Sequence, residues 1–196
     1  MKSSESYTII GGEIFIPEIT FYGRHHKSRN GSYLIAWGES IEDSSERIVL
    51  FKDRELLMNK RLKNIRHARV SDRGLFILDT WSESGGGVSQ FLAMDRYGRT
   101  VVRESICSSV VGLGLSDDGY YAAFQTGYSE NVHDSAMLIF IDIEKTKVLW
   151  RIPSTDWAVA YSFDPKERQL QLSLRSRSSL AYGFDGTLLT QGVTAR

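Results

Sequence analysis

Short apolar runs alternate with polar turns along the whole chain. Within many of these runs, apolar and polar positions alternate with a period of two, which is typical of β-strands that bury one face. No stretch keeps its apolar residues at the i, i+3, i+4, i+7 spacing of an amphipathic helix. The pattern therefore predicts an all-β chain with almost no helix.

A Ser-x-x-Gly turn followed by an apolar strand occurs three times. The three segments are Ser28–Ala36, Ser71–Leu78 and Ser116–Phe124, and their glycines are 43 and 45 residues apart. A degenerate fourth copy begins at Phe163-Asp164-Pro165, ahead of the alternating strand Leu170–Leu174. A fixed spacing of this kind indicates an internally repeated fold.

A second marker, an apolar strand that ends in aspartate, repeats with the same period. The aspartates are Asp53, Asp95, Asp142 and Asp185, at spacings of 42, 47 and 43 residues. A short polar turn and another β-rich run follow each of them. The repeating unit is therefore strand, Gly turn, strand, variable loop, strand, Asp turn, strand. Two markers that share one period predict about four four-stranded antiparallel units.

Units of this type must stack, because a single four-stranded sheet leaves an apolar face and two edges exposed. Radial stacking gives a β-propeller. The segment Ser116–Phe124, followed by Ile139–Trp150, resembles a blade of the WD-repeat-like propellers, and weaker versions cover residues 22–191. The chain lacks the Gly-His and Trp-Asp pairs of strict WD repeats. The resemblance implies a small propeller in a class whose members mostly serve as binding platforms, and a minority of which carry enzymatic sites in the central channel.

We expect a single domain over residues 1–196 that consists of an N-terminal hairpin and about four blades. The hairpin covers residues 7–17, and the blades cover approximately 20–62, 64–106, 109–153 and 157–191. Two placements of the hairpin are open at this point. It pairs with the fourth blade and closes the ring, or it is half of a fifth blade whose remainder is supplied elsewhere.

The loops between the second and third strands of the blades share one face in propellers, and here they are long and net acidic. They cover residues 40–46, 82–87 and 127–134. Exposed aromatic side chains on such loops are good interface anchors. The predicted contact residues are Glu39, Glu42, Asp43, Trp81, Glu83, Tyr128, Glu130 and Asp134. The first hypothesis is therefore a non-catalytic protein-binding module, and the alternative is that these loops are only solvated hairpin tips.

The first strand of each blade lines the central channel in propellers. Counting with period two places four basic residues on one side of the channel and small residues on the other, with Gly112 and Gly114 among the small ones. The basic residues are Arg24, His26, His67 and Arg69. They suggest a second hypothesis, a site for a small anionic ligand or an enzymatic site. The alternative is that these side chains only bond to the neighbouring backbone or to Asp79. A third hypothesis is a structural subunit whose incomplete ring another copy finishes.

Charge, hydropathy and cysteine content bear on the partners and the compartment that we expect for this protein. Lys plus Arg and Asp plus Glu both number 24, so no global field favours nucleic acid or an anionic membrane. The longest apolar runs, such as Ala136–Ile141, are too short to span a bilayer. The single cysteine, Cys107, and an N-terminal sequence without the pattern of a secretory signal favour the cytoplasm.

Motifs for metal, phosphate or nucleophile chemistry are missing from the sequence. The four histidines lack metal-ligand spacing, and no Gly-x-Ser-x-Gly motif occurs. The run Gly85-Gly86-Gly87 precedes no lysine, which argues against a P-loop. We therefore expect no cofactor, no metal and no catalytic residue, and a protein as the partner.

Overall fold

The computed structural model describes residues 6–82 and 88–193, and this part of the chain is almost entirely β-structure. The one helical element in these ranges is a 3-10 turn at Pro17–Ile19. The strands are β1 Thr8–Ile10, β2 Glu13–Ile16, β3 Phe21–Lys27, β4 Tyr33–Ser40, β5 Glu46–Lys52, β6 Glu55–Arg61, β7 Ile65–Val70, β8 Phe76–Ser82, β9 Val88–Met94, β10 Thr100–Ile106, β11 Val110–Leu115, β12 Tyr121–Thr126, β13 Met137–Asp142, β14 Lys147–Pro153, β15 Ala158–Asp164, β16 Gln169–Leu174, β17 Ser178–Gly183 and β18 Leu188–Val193.

Four antiparallel sheets follow one another along the described chain. The first has the strand order β1-β2-β3-β4-β5-β6, and the other three contain β7 to β10, β11 to β14 and β15 to β18. We call β3–β6 blade 1 and the three following sheets blades 2, 3 and 4. The predicted all-β propeller of about four four-stranded antiparallel units is confirmed. No helix in the described ranges is long and apolar enough to cross a membrane.

The Ser-x-x-Gly marker has a geometric cause. In blade 1 the Gly31 N–H donates to the Ser28 carbonyl at 3.0 Å, and the Ser28 N–H donates to the Tyr33 carbonyl at 2.9 Å. Gly31 has a φ of +77°, a left-handed conformation that glycine adopts without steric cost. The same glycine-to-serine bond closes the turns at residues 71–74 and 116–119. The marker therefore encodes the hairpin that joins the first two strands of a blade.

In blades 2, 3 and 4 the aspartate marker accepts hydrogen bonds from the backbone of the turn that joins the third and fourth strands. The Asp95 carboxylate accepts hydrogen bonds from the N–H groups of Tyr97, at 2.9 Å, and Arg99, at 3.0 Å. The Asp142 carboxylate accepts a hydrogen bond from the Lys145 backbone N–H, and the Asp185 carboxylate accepts one from the Thr187 backbone N–H. Side-chain bonds of this kind favour a turn over a continuing strand.

The blades pack face to face through three successive apolar clusters. Ile35 and Phe76 belong to the cluster between blades 1 and 2. Phe91 and Phe124 stack at 4.8 Å between blades 2 and 3. Phe140 meets the ring of Phe184 at 4.9 Å between blades 3 and 4. Among the described residues, no core cluster contains side chains of both blade 1 and blade 4.

The N-terminal hairpin extends the sheet of blade 1. Both placements predicted from the sequence, pairing with blade 4 and half of a fifth blade, are therefore wrong. Strand β2 pairs with the inner strand β3, with Ile14 opposite Gly23 and Ile16 opposite Phe21. The 3-10 turn and a left-handed Thr20, with φ of +46°, connect the two strands directly. The unpaired edge of β3 lies only a few residues after β2 in the chain. Pairing with this edge costs less chain entropy than pairing with the distant blade 4, so the hairpin pairs with β3.

This extended sheet curls back over the outer face of blade 1. Gly23 and Gly38 are directly paired, and a Cβ atom on Gly38 would lie 2.3 Å from the Tyr22 carbonyl oxygen. Only glycine permits this close backbone approach. The hairpin side chains consequently reach strands that are not their hydrogen-bonding neighbours, in a cluster that contains Tyr7, Ile14, Ile16, Phe21, Leu34, Ala36, Val49 and Phe51.

Blade 4 ends the array with a polar face. Leu170 and Leu172 of β16 point toward blade 3. The alternate residues Ser162, Gln171 and Ser173 are exposed on the opposite face. Repeat arrays need terminal units whose outer face tolerates water. The described chain is thus an array of four blades with a covered first face and a polar last face.

Candidate functional site

The antiparallel order of the strands places the long loops and the tight turns at opposite ends of the blades. We call the first end the loop face; its described segments are residues 41–45, 62–64, 107–109, 127–136, 154–157 and 175–177. We call the second end the turn face; it includes residues 28–32, 71–75, 95–99 and 116–120. Five of the predicted contact residues lie in these segments: Glu42, Asp43, Tyr128, Glu130 and Asp134. Glu39 and Trp81 lie at the loop-face ends of β4 and β8, and Glu83 lies outside the described residues.

Asp43 holds its own loop together. Its carboxylate accepts a hydrogen bond from the Ser45 hydroxyl at 2.6 Å and pairs with Arg47 at 2.8 Å and Arg61 at 2.6 Å. The Ser45 bonds, together with the neighbouring guanidinium of Arg47, hold the pKa of Asp43 well below its usual range. This carboxylate is already engaged within the chain.

Asp134 is buried, with 7% of its surface exposed, and it anchors the loop of blade 3. One carboxylate oxygen accepts the Cys107 backbone N–H at 2.7 Å, and the other pairs with Arg151 at 2.9 Å. Arg151 also pairs with Glu104 at 3.0 Å. The sequence showed these acidic residues but not the basic partners that neutralise them.

Three of the predicted acidic residues remain open to solvent. Glu39, Glu42 and Glu130 are exposed, and none of them forms an ion pair with another residue in the described ranges. Among the described residues, the predicted carboxylates without an ion pair therefore lie beside blade 1 and in the loop of blade 3.

Trp81 lies between two concavities of the loop face. The first, which we call the blade 1–2 cavity, has a volume of about 660 Å³ and is lined by Trp37, Trp81, Arg66 and Glu39 among others. The Arg66 guanidinium is 5.9 Å from the centroid of the Trp81 ring. The second, the blade 2–3 groove, has about 410 Å³ and is lined by Trp81 and Tyr128. Trp81 therefore lines both the blade 1–2 cavity and the blade 2–3 groove.

Tyr128 and Trp157 continue this line of aromatic rings. Tyr128 is 72% exposed, and its ring meets the edge of Trp157 at a centroid distance of 5.6 Å. The guanidinium of Arg175 lies 5.6 Å from the Trp157 ring. We call Trp81, Tyr128 and Trp157 the aromatic row; they come from blade 2, the loop of blade 3 and the start of blade 4. Trp157 is not among the contact residues predicted from the sequence, and the signal that could have identified it is its position in the connection between blades 3 and 4.

The four basic residues predicted for the channel divide between two cavities. Arg24 lines the blade 1–2 cavity on the loop face. His26 and Arg69 line a different cavity of about 520 Å³, formed where the first strands of all four blades come together. We call it the inner-edge cavity. His67 borders both cavities, so it is the link between them.

The small residues predicted opposite them make room for a side chain of the next blade. A Cβ atom on Gly114 would lie 2.4 Å from the Tyr161 Cβ, and one on Gly112 would lie 2.8 Å from the Tyr161 hydroxyl. That hydroxyl donates to the Gln125 side-chain oxygen at 3.1 Å. Burial raises the pKa of Tyr161, which therefore stays neutral. The glycines serve packing between blades 3 and 4.

Burial lowers the pKa of His26 to about 4, and the positive charge of Arg69 acts in the same direction. The His26 Nδ1 accepts the Val70 backbone N–H at 3.3 Å. His26 is thus neutral at pH 7, with its remaining proton on Nε2.

Acidification should destabilise the protein through His26. The unfolded chain binds this proton near pH 6.5 and the folded chain only near pH 4, so stability falls as the pH drops between these values. After allowance for partial exposure of the ring, we expect a loss of about 1.5 kcal/mol between pH 7 and pH 4.5. Urea unfolding at both pH values should show that loss reduced in His26→Gln.

The matched control for this measurement is His133→Gln, which changes an exposed histidine. The other groups that titrate over the same pH range contribute equally to all three proteins. An identical pH dependence in the wild type and His26→Gln would contradict the assignment.

No group of three or more His, Cys, Asp or Glu side chains that could hold a metal ion occurs in residues 6–82 and 88–193. The groups that line the cavities are aromatic rings, guanidinium and imidazole groups, and carboxylates.

Comparison with known proteins supports the fold. No family model and no curated protein sequence matches the chain. The WD40 domain of Pan2 from Neurospora crassa is similar, with a TM-score of 0.54 and 12% identity over 86% of this chain and 49% of that chain. Hydrazine synthase from Kuenenia stuttgartiensis gives a TM-score of 0.57 and 12% identity over 93% of this chain and 80% of that chain. The chain thus spans about half the length of the Pan2 domain, and both similarities indicate a β-propeller fold.

Proposed function

We propose that the chain is a non-catalytic protein-binding module that uses the loop face, with the aromatic row at the centre of the contact. The observation that carries this proposal is the position of Trp81, which borders both concavities of one face and is followed there by the 72% exposed Tyr128. Aromatic residues in such positions dominate the energetics of protein interfaces.

The contacts around the aromatic row favour binding with little loss of side-chain freedom. Tyr128 already rests against Trp157, and the Arg66 guanidinium lies 5.9 Å from the centroid of the Trp81 ring. Rings that are held before association lose less entropy when a partner arrives. The concavities on both sides of Trp81 can each receive a side chain of that partner.

The exposed carboxylates place negative charge beside each concavity, next to the guanidinium groups of Arg24 and Arg66 in the blade 1–2 cavity. Glu39 lines the blade 1–2 cavity, and Glu130 lines the blade 2–3 groove. A partner with basic residues at the rim of its contact and apolar residues at the centre suits this arrangement. The resemblance to WD-repeat-like propellers, which mostly serve as binding platforms, supports the same function.

The turn face offers a matched comparison. It contains a cavity of about 670 Å³ with Tyr97, a tyrosine that is 65% exposed. Its turns are short, and their polar side chains bond within the turn, as Asp95 does with Tyr97 and Arg99. The loops of the opposite face are longer and present the aromatic row beside two concavities.

An affinity capture experiment tests the proposal. The immobilised protein, Trp81→Ala/Tyr128→Ala and Tyr97→Ala are exposed to an extract of the source organism, and bound proteins are quantified by mass spectrometry. We expect a protein that the wild type and Tyr97→Ala retain and the double variant loses. Retention by the double variant, together with loss by Tyr97→Ala, would place binding on the turn face.

A further inference from the structure

The inner-edge cavity is positively charged. Its lining contains the acidic and basic side chains of His26, Lys27, Arg29, His67, Arg69 and Asp117, together with the neutral Tyr161. Its one carboxylate, Asp117, is already paired with Arg29 at 2.6 Å. Within the described ranges, neither Lys27 nor Arg69 forms an ion pair. The lining therefore carries cationic charge, and the carboxylate that acts on Arg69 is that of Asp79, which lies behind His67 and is paired with it at 2.9 Å.

Arg69 is half-buried, and most of its donors have no protein acceptor. One guanidinium nitrogen donates to the Ala68 carbonyl at 2.9 Å. An arginine side chain has five N–H donors in a planar fork, which matches the oxygens of a carboxylate or a phosphate. Burial lowers the pKa of Arg69, because its charge is partly removed from water. An arginine nevertheless remains charged, so an anion would replace the lost hydration.

Two histidines have fixed ring orientations beside this guanidinium. The His26 Nδ1 accepts the Val70 N–H at 3.3 Å, so its Nε2 carries a proton that it can donate. The His67 Nδ1 lies 2.9 Å from a carboxylate oxygen of Asp79, which is fully buried and also accepts the His67 N–H at 3.1 Å. This pairing leaves the Nε2 of His67 on the side of the ring away from Asp79.

We propose that the inner-edge cavity binds a small organic anion with a carboxylate or phosphate group, held by the Arg69 guanidinium and the His26 Nε2–H, with Lys27 at the margin. The volume of about 520 Å³ is within the range of small-ligand sites. Wall residues of β15, among them Ala160 and Tyr161, close the site on the side of blade 4. This binding is separate from protein contact through the aromatic row.

Titration of the full chain with two probes, inorganic phosphate and citrate, tests the proposal. Calorimetry and NMR at pH 7 are carried out with chloride replaced by each probe at constant ionic strength. We expect saturable binding of at least one probe, with shifts of the backbone amides at residues 158–161 and 69–70. A preference for phosphate or citrate identifies the anionic group that the site recognises.

Arg69→Gln should weaken binding at least about ten-fold, because it removes a charge-assisted contact. Lys27 is exposed, so Lys27→Gln should not affect folding. We expect Lys27→Gln to weaken binding of the probe by a smaller factor than Arg69→Gln does. The matched control is Arg103→Gln, which removes an exposed arginine of β10 and should leave the affinity unchanged. The proposal is overturned if neither probe binds, if Arg69→Gln binds as the wild type does, or if Arg103→Gln has the same effect as Arg69→Gln.

Discussion

Deletion of residues 1–17 is expected to leave a chain that no longer persists as a stable, folded monomer. The deletion removes Ile14 and Ile16 and uncovers Leu34, Val49 and Phe51, all of which are 2% exposed or less in the intact protein. Each large apolar side chain of this kind contributes roughly 2 kcal/mol when it is buried. Together they approach the roughly 5–15 kcal/mol by which a domain is stable.

Urea unfolding monitored by tryptophan fluorescence, with light scattering after size-exclusion chromatography, measures this effect. We expect a much lower unfolding midpoint, or association of the truncated chain through the uncovered face of blade 1. A monomer with an unchanged midpoint would show that the hairpin does not cover this face.

Gly38→Ala separates the curl of the sheet from the presence of the hairpin. The added methyl group would lie 2.3 Å from the Tyr22 carbonyl oxygen, so the β3–β4 pair must move apart. Overpacking of this kind costs about 1–3 kcal/mol. Gly192→Ala is the control, because its nearest contact is the Ser179 hydroxyl at 3.4 Å. Equal stability losses in the two variants would contradict the role of Gly38.

The second large effect is expected in binding. Once a partner is identified, Trp81→Ala and Tyr128→Ala should each weaken the complex by about 2 kcal/mol, which is roughly 30-fold in Kd. The free energy of unfolding should change little for Tyr128→Ala, because that ring is 72% exposed. Surface plasmon resonance should locate the change mainly in the dissociation rate.

Neutralising the exposed carboxylates should have a different kinetic signature. Glu42→Gln/Glu130→Gln removes charges that have no ion-pair partner in the described ranges, so we expect slower association and a weaker dependence on salt. Faster dissociation with unchanged association would instead mean that these carboxylates are buried in the contact.

The blades could be predicted from the sequence because their markers act locally. The glycine turn at residues 28–31 and the aspartate turn at residues 95–99 are each closed by hydrogen bonds within five residues. Such turns fix the order of strands without information from distant parts of the chain. The period-two pattern predicted one face for Arg24, His26, His67 and Arg69. The structure divides them between the blade 1–2 cavity and the inner-edge cavity.

What could not be predicted depends on contacts between distant residues. Asp134 pairs with Arg151, and Tyr161 fills the space above Gly112 and Gly114. In both cases the partner belongs to another strand, and the sequence pattern of one element does not reveal it. The predicted placements of the hairpin were wrong for a different reason, because β2 pairs with β3, its neighbour in sequence. The position of the hairpin over blade 1 depends on the close approach of Gly23 and Gly38, which lie on different strands.

Hydrogen–deuterium exchange of the complex with the captured partner tests the central claim, protein binding through the loop face, most directly. Amide exchange is followed by mass spectrometry in the free and bound protein. We predict that binding protects residues 41–45, 62–64 and 127–136 and leaves residues 95–99 and 116–120 of the turn face unchanged. Protection confined to the turn face, with unaltered exchange around Tyr128, would contradict the account.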